Sequence, residues 1–263
     1  MSGTNLRAVL FDYGHTLIHF DEHPHEGLVE AYQRINHLLR DTLEREVPDA
    51  HTLIGNVSIK VDDEIQQDYQ EGRPEEVEIS HIYDRVLRRI GLELEPALIE
   101  QIMELEQEGW LSSVHVGDDV RPTLERIREA GLKVGLVSNA AYRPRLMRRQ
   151  VEALGLLPYF DSLTFSSEVG FRKPHPRIYA DALHKLQVEP ATALFVGDRV
   201  REDVRGPKAL GMRAVLLREW RQDDDPAGEA DYTLARLGQL WPVIDALGRR
   251  ELDSPDDRGK KHN

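Results

Sequence analysis

Cysteine is absent from all 263 residues. Disulfides, thiolate zinc sites and cysteine nucleophiles are therefore excluded outright. Positive charge is also in short supply, with 34 Lys and Arg against 47 Asp and Glu and a formal net charge of −13. A nucleic-acid binder needs a basic stripe to displace counterions from phosphates, so that class is set aside. A small anionic substrate needs only local positive charge and stays open. No apolar run reaches membrane-spanning length, and Met1 to Arg7 lack the charged-then-apolar pattern of a secretion signal, so a membrane partner is not expected and the expected location is cytoplasmic.

What is present is an ordinary globular balance, 40% hydrophobic and 31% charged, in a chain long enough for one or two domains. Ala8-Val9-Leu10-Phe11 is a short apolar run that stops at Asp12. Similar runs are Val134–Val137, Ser162–Phe165, Ala193–Val196 and Ala214–Leu217. Continuous apolar runs of this length read as strands buried on both faces of a parallel sheet. Between them, Val120, Leu124 and Ile127 and then Ile178, Ala182 and Leu186 recur at helical spacing. The alternation predicts an α/β fold, an open Rossmann-like parallel sheet flanked by helices.

Residues 20–117 read differently. Four stripes repeat every three or four positions: Leu28 to Leu43, Val57 to Tyr69, Ile79 to Ile90, and Ile99 through Glu106 toward Trp110. They predict four amphipathic helices, uninterrupted by strands, forming an inserted all-helical cap. The expected division is a catalytic core of residues 1–19 and 118–250, the cap at 20–117, and a disordered tail at 251–263 that lacks apolar residues. Residues 19–117 carry 23 of the 47 acids but only 8 of the 34 basic residues, so the acidic surplus belongs to the insert.

Four segments fall where strands should end, the edge at which such sheets bind ligands. They are Asp12-Tyr13-Gly14-His15-Thr16, Ser138-Asn139, Arg172-Lys173-Pro174, and Gly197-Asp198 with Asp203 five residues on. Each alone is an unremarkable cap or turn signal. Together they supply a carboxylate nucleophile, a hydroxyl donor, a cation and a pair of acids. Magnesium takes hard oxygen ligands from one or two carboxylates, and phosphoryl transfer needs positioning and charge neutralisation.

In this order the segments resemble the four motifs of the haloacid dehalogenase superfamily, specifically its phosphatase-type members with a helical cap after the first motif. The resemblance runs from about residue 7 to residue 218. It implies a Mg2+-dependent phosphatase acting on a small phosphorylated metabolite. Asp12 would form an aspartyl-phosphate, Ser138 and Lys173 would bind the phosphoryl group, and Asn139 and His15 would line its pocket. Asp12, the backbone carbonyl of Gly14, Asp198 and Asp203 would hold the metal. The Gly-Asp signature at the fourth motif favours a phosphatase over a metal-free dehalogenase. Monomer and homodimer are both compatible with the sequence.

One position departs from the pattern. Where these phosphatases carry a second Asp, the general acid and base, this chain has Gly14. A positioned acid contributes a factor of about 10²–10⁴. Three outcomes follow: His15 substitutes, the leaving group needs little protonation, or turnover is lost and the chain is a phosphate- or partner-binding module. Phosphonate cleavage is a further chemistry in which that Asp is missing. His15, His19, His23 and His25 match no familiar zinc spacing and are expected to be exposed or substrate-facing. Arg172, Arg199 and Arg201 are expected in surface ion pairs, and Trp110 in hinge or core packing.

Overall fold

The computed structural model describes residues 6–21 and 26–249. The predicted tail, His23 and His25 lie outside the described residues. The chain enters through β1 (Ala8–Phe11) and β2 (Ile18–Phe20). A run of helices follows: α1 (Glu26–Leu43), α2 (Ala50–Leu53), α3 (Ile59–Gln70), α4 (Ile79–Arg89) and α5 (Pro96–Leu111). After β3 (Val114–Val116) come α6 (Val120–Glu129), β4 (Lys133–Ser138), α7 (Pro144–Ala153) and β5 (Ser162–Phe165). Then come α8 (Ser166–Val169), α9 (Pro176–Leu186), β6 (Ala193–Gly197) and α10 (Gly206–Ala209). The chain ends through β7 (Arg213–Leu217), β8 (Tyr232–Leu234) and α11 (Leu240–Arg249).

Six strands form one parallel sheet in the order β5-β4-β1-β6-β7-β8. Successive side chains on a strand point to opposite faces. Val9, Phe11, Leu136 and Val196 accordingly pack with α6, α7 and α11, while Ala8, Leu10, Val137 and Phe195 pack with α9. Every residue of β1 is fully buried, which is why the run reads as unbroken apolar.

The helices between β2 and β3 bury a separate core built from Leu28, Tyr32, Leu53, Tyr83 and Ile102 and their neighbours. A π-helical turn, Ile54–Ser58, joins α2 to α3, so the stripe from Val57 to Tyr69 runs through it. Trp110 packs against this core. Helices α1 and α5 cross closely: a Cβ on Gly27 would stand 2.5 Å from the Gly109 carbonyl, so glycine is required there. Glu106, on the apolar stripe, is buried; Tyr32 and Tyr83 donate to one of its oxygens at 2.6 and 2.8 Å and Ser58 to the other at 2.6 Å.

Three short strands differ from the sequence expectation. β2 and β3 pair antiparallel at the two ends of the helical insert, so a strand does stand within residues 20–117. β8 extends the sheet beyond β7. Three residues are too few for a period to register in the sequence.

The charge asymmetry has a structural counterpart. Arg143, at the start of α7, reaches Glu78 at 2.8 Å and Glu100 at 2.7 Å, and Arg145 meets Glu100 and Glu104. Basic residues of the sheet unit thus face acids of the helical insert. The insert also adds a backbone contact, with Arg172 N donating to Pro74 O at 2.8 Å and Glu76 N to Gly170 O at 3.0 Å.

Candidate active site

Strand register alone carries three motif residues to one edge. Phe11 lies opposite Val196 of β6 and Leu136 of β4, so Asp12, Ser138 and Asp198 all emerge at the carboxyl ends of neighbouring parallel strands. The Asp12 amide continues the ladder by donating to Val196 O at 2.9 Å. After β6 the chain makes a π-helical turn, Val200–Arg205, which returns Asp203 beneath Asp198. Asp203 Oδ2 accepts from the amides of Asp198 and Arg199 at 3.1 and 2.9 Å. Gly197 permits that return, because a Cβ there would stand 2.3–2.4 Å from the Asp203 side chain.

Lys173 arrives from the loop between α8 and α9. Asn139 fixes it: its Oδ1 accepts from Lys173 N at 2.7 Å and its Nδ2 donates to Lys173 O at 3.2 Å. The Lys173 ammonium then donates to Asp12 Oδ1 at 2.6 Å and Asp203 Oδ1 at 2.8 Å. The first of these pairs closes a loop of 161 residues. Asn139, expected at the phosphate pocket, holds the Lys173 backbone with both ends of its amide. Ser138 is buried, and its hydroxyl makes a long 3.5 Å contact to Asn139 O.

The electrostatics are those of a crowded buried cluster. Burial pushes the Asp12 carboxyl up to about 6; Lys173 opposes the rise and Asp198 adds to it. Burial likewise pushes Asp203 up to about 6, against the pull of Lys173 and with a push from Asp12. Asp198 is raised by burial and by Asp203. Burial would lower Lys173, but Asp12 and Asp203 outweigh it and hold the ammonium above the usual lysine range.

The residues present fit a hard divalent cation. One oxygen atom each from Asp12, Asp198 and Asp203 lies within 4.8 Å of the others, and all three residues are buried. Asp198 Oδ1 is buried without a hydrogen-bond partner among the described residues, an arrangement that costs free energy unless a ligand meets it. Three carboxylates are the donor chemistry magnesium takes.

Gly14 and His15 sit beside this cluster. A Cβ on Gly14 would stand 3.5 Å from the ring of Phe20, which is 41% exposed on β2. His15 takes a left-handed backbone, φ 58°, and its ring meets Phe20 edge-on at 5.5 Å. Burial lowers its imidazole pKa, as do Arg221 and Arg199, so the neutral form is favoured. His19 stacks on Trp220.

One arginine departs from expectation and another was not foreseen. Arg172 is not in a surface pair; it is 2% exposed, ion-paired with Asp68, bonded to Glu75 O at 2.9 Å and stacked over Tyr69. Packing of the insert against the loop before Lys173 buries it. Arg199 does pair at the surface, with Glu202 at 3.3 Å. Sequence reasoning missed Arg221, which donates to Asp198 Oδ2 at 2.6 Å. It follows the strand run Ala214–Leu217, and extending the strand-end rule to that run is the signal that would have reached it.

The family profile described as haloacid dehalogenase-like hydrolase matches residues 6–211. The chain is 29% identical over 253 residues, 93% of this chain and 99% of the relative, to a protein of Methanopyrus kandleri named glyceraldehyde 3-phosphate phosphatase. It is 36% identical over 121 residues, 46% of this chain and 47% of the relative, to a protein of Thermus thermophilus named phosphoserine phosphatase. A HAD phosphatase from Thermococcus onnurineus superposes with a TM-score of 0.57 at 26% identity, covering 92% of this chain and 98% of that one. A 2-haloacid dehalogenase from Pseudomonas syringae pv. Tomato superposes at 0.62 with 24% identity, over 92% of this chain and 98% of that one, a likeness of fold alone.

Proposed function

This chain belongs to the haloacid dehalogenase-like hydrolases, and from that premise we propose that it is a magnesium-dependent phosphatase of small phosphorylated metabolites. The observation that carries the reading is the buried cluster in which Lys173 bridges Asp12 and Asp203 while Asp198 keeps one oxygen unpartnered among the described residues. Asp12, the Gly14 carbonyl and Asp198 would hold the cation, with Asp203 supporting it directly or through water. Magnesium, when bound, supplies neutralisation of the phosphoryl charge.

In the first step an Asp12 carboxylate oxygen attacks phosphorus, the bond to the leaving oxygen breaks, and an aspartyl-phosphate forms. Lys173 holds Asp12 in place and offsets negative charge on both nucleophile and phosphoryl group. Ser138, whose hydroxyl is only loosely engaged, donates to a phosphoryl oxygen. Asn139 acts through Lys173 by fixing its backbone. Water then attacks phosphorus, releasing orthophosphate and restoring Asp12. Gly14 offers no proton to the leaving oxygen, so the substrates served best are those whose leaving groups need little protonation. The helical insert, docked through Arg172, is the cap that selects among them.

A panel of phosphorylated metabolites tests this, assayed with and without magnesium and with Asp12→Asn as the blank. Glyceraldehyde 3-phosphate and phosphoserine belong on it, given the names of the relatives. Phosphate release that disappears in the blank and after metal removal is the expected result. Silence across the panel with phosphate binding retained would favour the second reading, a non-catalytic phosphate-binding module, which the glycine at position 14 motivates.

A further inference from the structure

The three buried carboxylates are not held alike. Both oxygens of Asp203 are occupied, Oδ1 by Lys173 and Oδ2 by two backbone amides. Asp12 gives Oδ1 to Lys173. Asp198, 1% exposed, has one oxygen pinned by Arg221 Nε at 2.6 Å and the other buried with no partner among the described residues. One oxygen anchored and one presented is the arrangement a metal ligand needs, because a partner on the far oxygen fixes the near one's direction.

We propose that Arg221 is a positioning residue that presents Asp198 to a divalent cation. It belongs to none of the four motif segments and reaches the site from the loop after β7. That loop is anchored on both sides of it. Trp220 stacks on His19 with ring centroids 5.1 Å apart, and its indole fills the space over Gly117, where a Cβ would stand 2.5 Å from Cη2. Arg218 N donates to Leu234 O and its Nη2 to Asp223 O, both at 2.9 Å. The Val200 amide donates to Asp223 Oδ2 at 2.7 Å, tying the loop to the turn that carries Asp203. A long, mobile side chain is thereby delivered to one oxygen at low entropic cost.

Positive charge so near a cation site acts in two directions. It repels the cation, yet it also fixes Asp198 and eases the repulsion among three carboxylates. Orientation is the larger effect here, because Arg221 occupies the far oxygen and is itself partly exposed, with a side-chain exposure of 35% that lets solvent screen its charge.

This inference rests on the reading that Asp198 ligates magnesium, and the test separates the two. Magnesium binding to the full chain is measured by isothermal titration calorimetry without substrate, for the wild type, Arg221→Gln, Arg221→Lys, Trp220→Ala and Asp198→Asn. Arg221→Gln is expected to weaken binding about 10–100-fold, the usual cost of losing a partner behind a metal ligand. Arg221→Lys should recover part of that loss, since an ammonium can still donate to Oδ2. Trp220→Ala should weaken binding in the same direction by less, and it keeps the test alive if Arg221→Gln fails to fold. Unchanged or tighter binding in folded Arg221→Gln overturns the proposal and makes Arg221 a competitor of the metal. A wild type that binds no better than Asp198→Asn overturns the magnesium reading itself.

Discussion

Placing an aspartate at position 14 is the most informative perturbation of this site. The backbone accepts it, because Gly14 is not among the residues with a positive φ. Space accepts it as well: the new Cβ would meet the Phe20 ring at 3.5 and 3.8 Å, ordinary contact with a side chain exposed enough to move. Gly14→Asp therefore adds a carboxyl group without strain. If the missing proton donor limits turnover, the gain is the full contribution of a general acid, about 10²–10⁴-fold or roughly 3–5 kcal/mol of barrier. The gain depends on the leaving group. An alkoxide needs a proton as it departs, whereas a nitrophenolate does not. The expected outcome is a kcat/KM on glycerol phosphate raised by about 10² or more, with 4-nitrophenyl phosphate nearly unchanged, followed by phosphate release at saturating magnesium. An equal gain on both substrates, or none on the alkyl ester in a folded variant, would refute the reasoning. His15 is the competing donor, but its lowered pKa leaves it neutral near pH 7 and poor at giving up a proton. His15→Ala should accordingly leave the pH–rate profile of the alkyl ester unmoved.

Three further outcomes follow from the geometry. Gly197→Ala drives a methyl group into the Asp203 side chain, so phosphate release should fall at least about 100-fold, a barrier of roughly 3 kcal/mol, while circular dichroism stays native. Asp12 and Asp203, raised from 3.8 to about 6, hold protons below that pH that a cation must displace. The same sign governs stability: for a carboxyl raised by folding, the advantage present at acid pH is lost as pH climbs through 6. Magnesium should thus raise Tm more at pH 8 than at pH 5.5; an equal or larger shift at pH 5.5 would contradict the assignment. Arg172→Met removes a buried cation shared by Asp68 and Glu76, leaving Asp68 only the exposed Arg73 at 3.3 Å, and should cost about 3–5 kcal/mol in urea unfolding. A loss under about 1 kcal/mol would show that the insert does not depend on this contact.

Much of the site was legible because it is organised by strand ends. Ala8–Phe11 and Ala193–Val196 announce themselves as buried strands, and the acids that follow them inherit a common edge from the parallel register. The helices of the insert were legible for a related reason: their stripes bury a core of their own, so the 3.6-residue period is strong. Arg172 was misread because its partner, Asp68, lies 104 residues away, and the hold of Asn139 on the Lys173 backbone, 34 residues on, was equally out of reach. No local pattern encodes such a contact.

Periodicity and residue chemistry, properties of neighbouring positions, sufficed for the class of fold, the places of five strands and the choice of the acids and the lysine as candidates. The glycine at position 14 was equally visible, since a missing side chain is a fact of sequence. Only the folded chain decided which oxygen each group would take: Lys173 between Asp12 and Asp203, Arg221 behind Asp198, and Arg172 buried by the insert. The reason is physical. Burial and directional hydrogen bonds arise from groups far apart in the chain, and their energies exist only once packing has excluded water and brought them within about 3 Å.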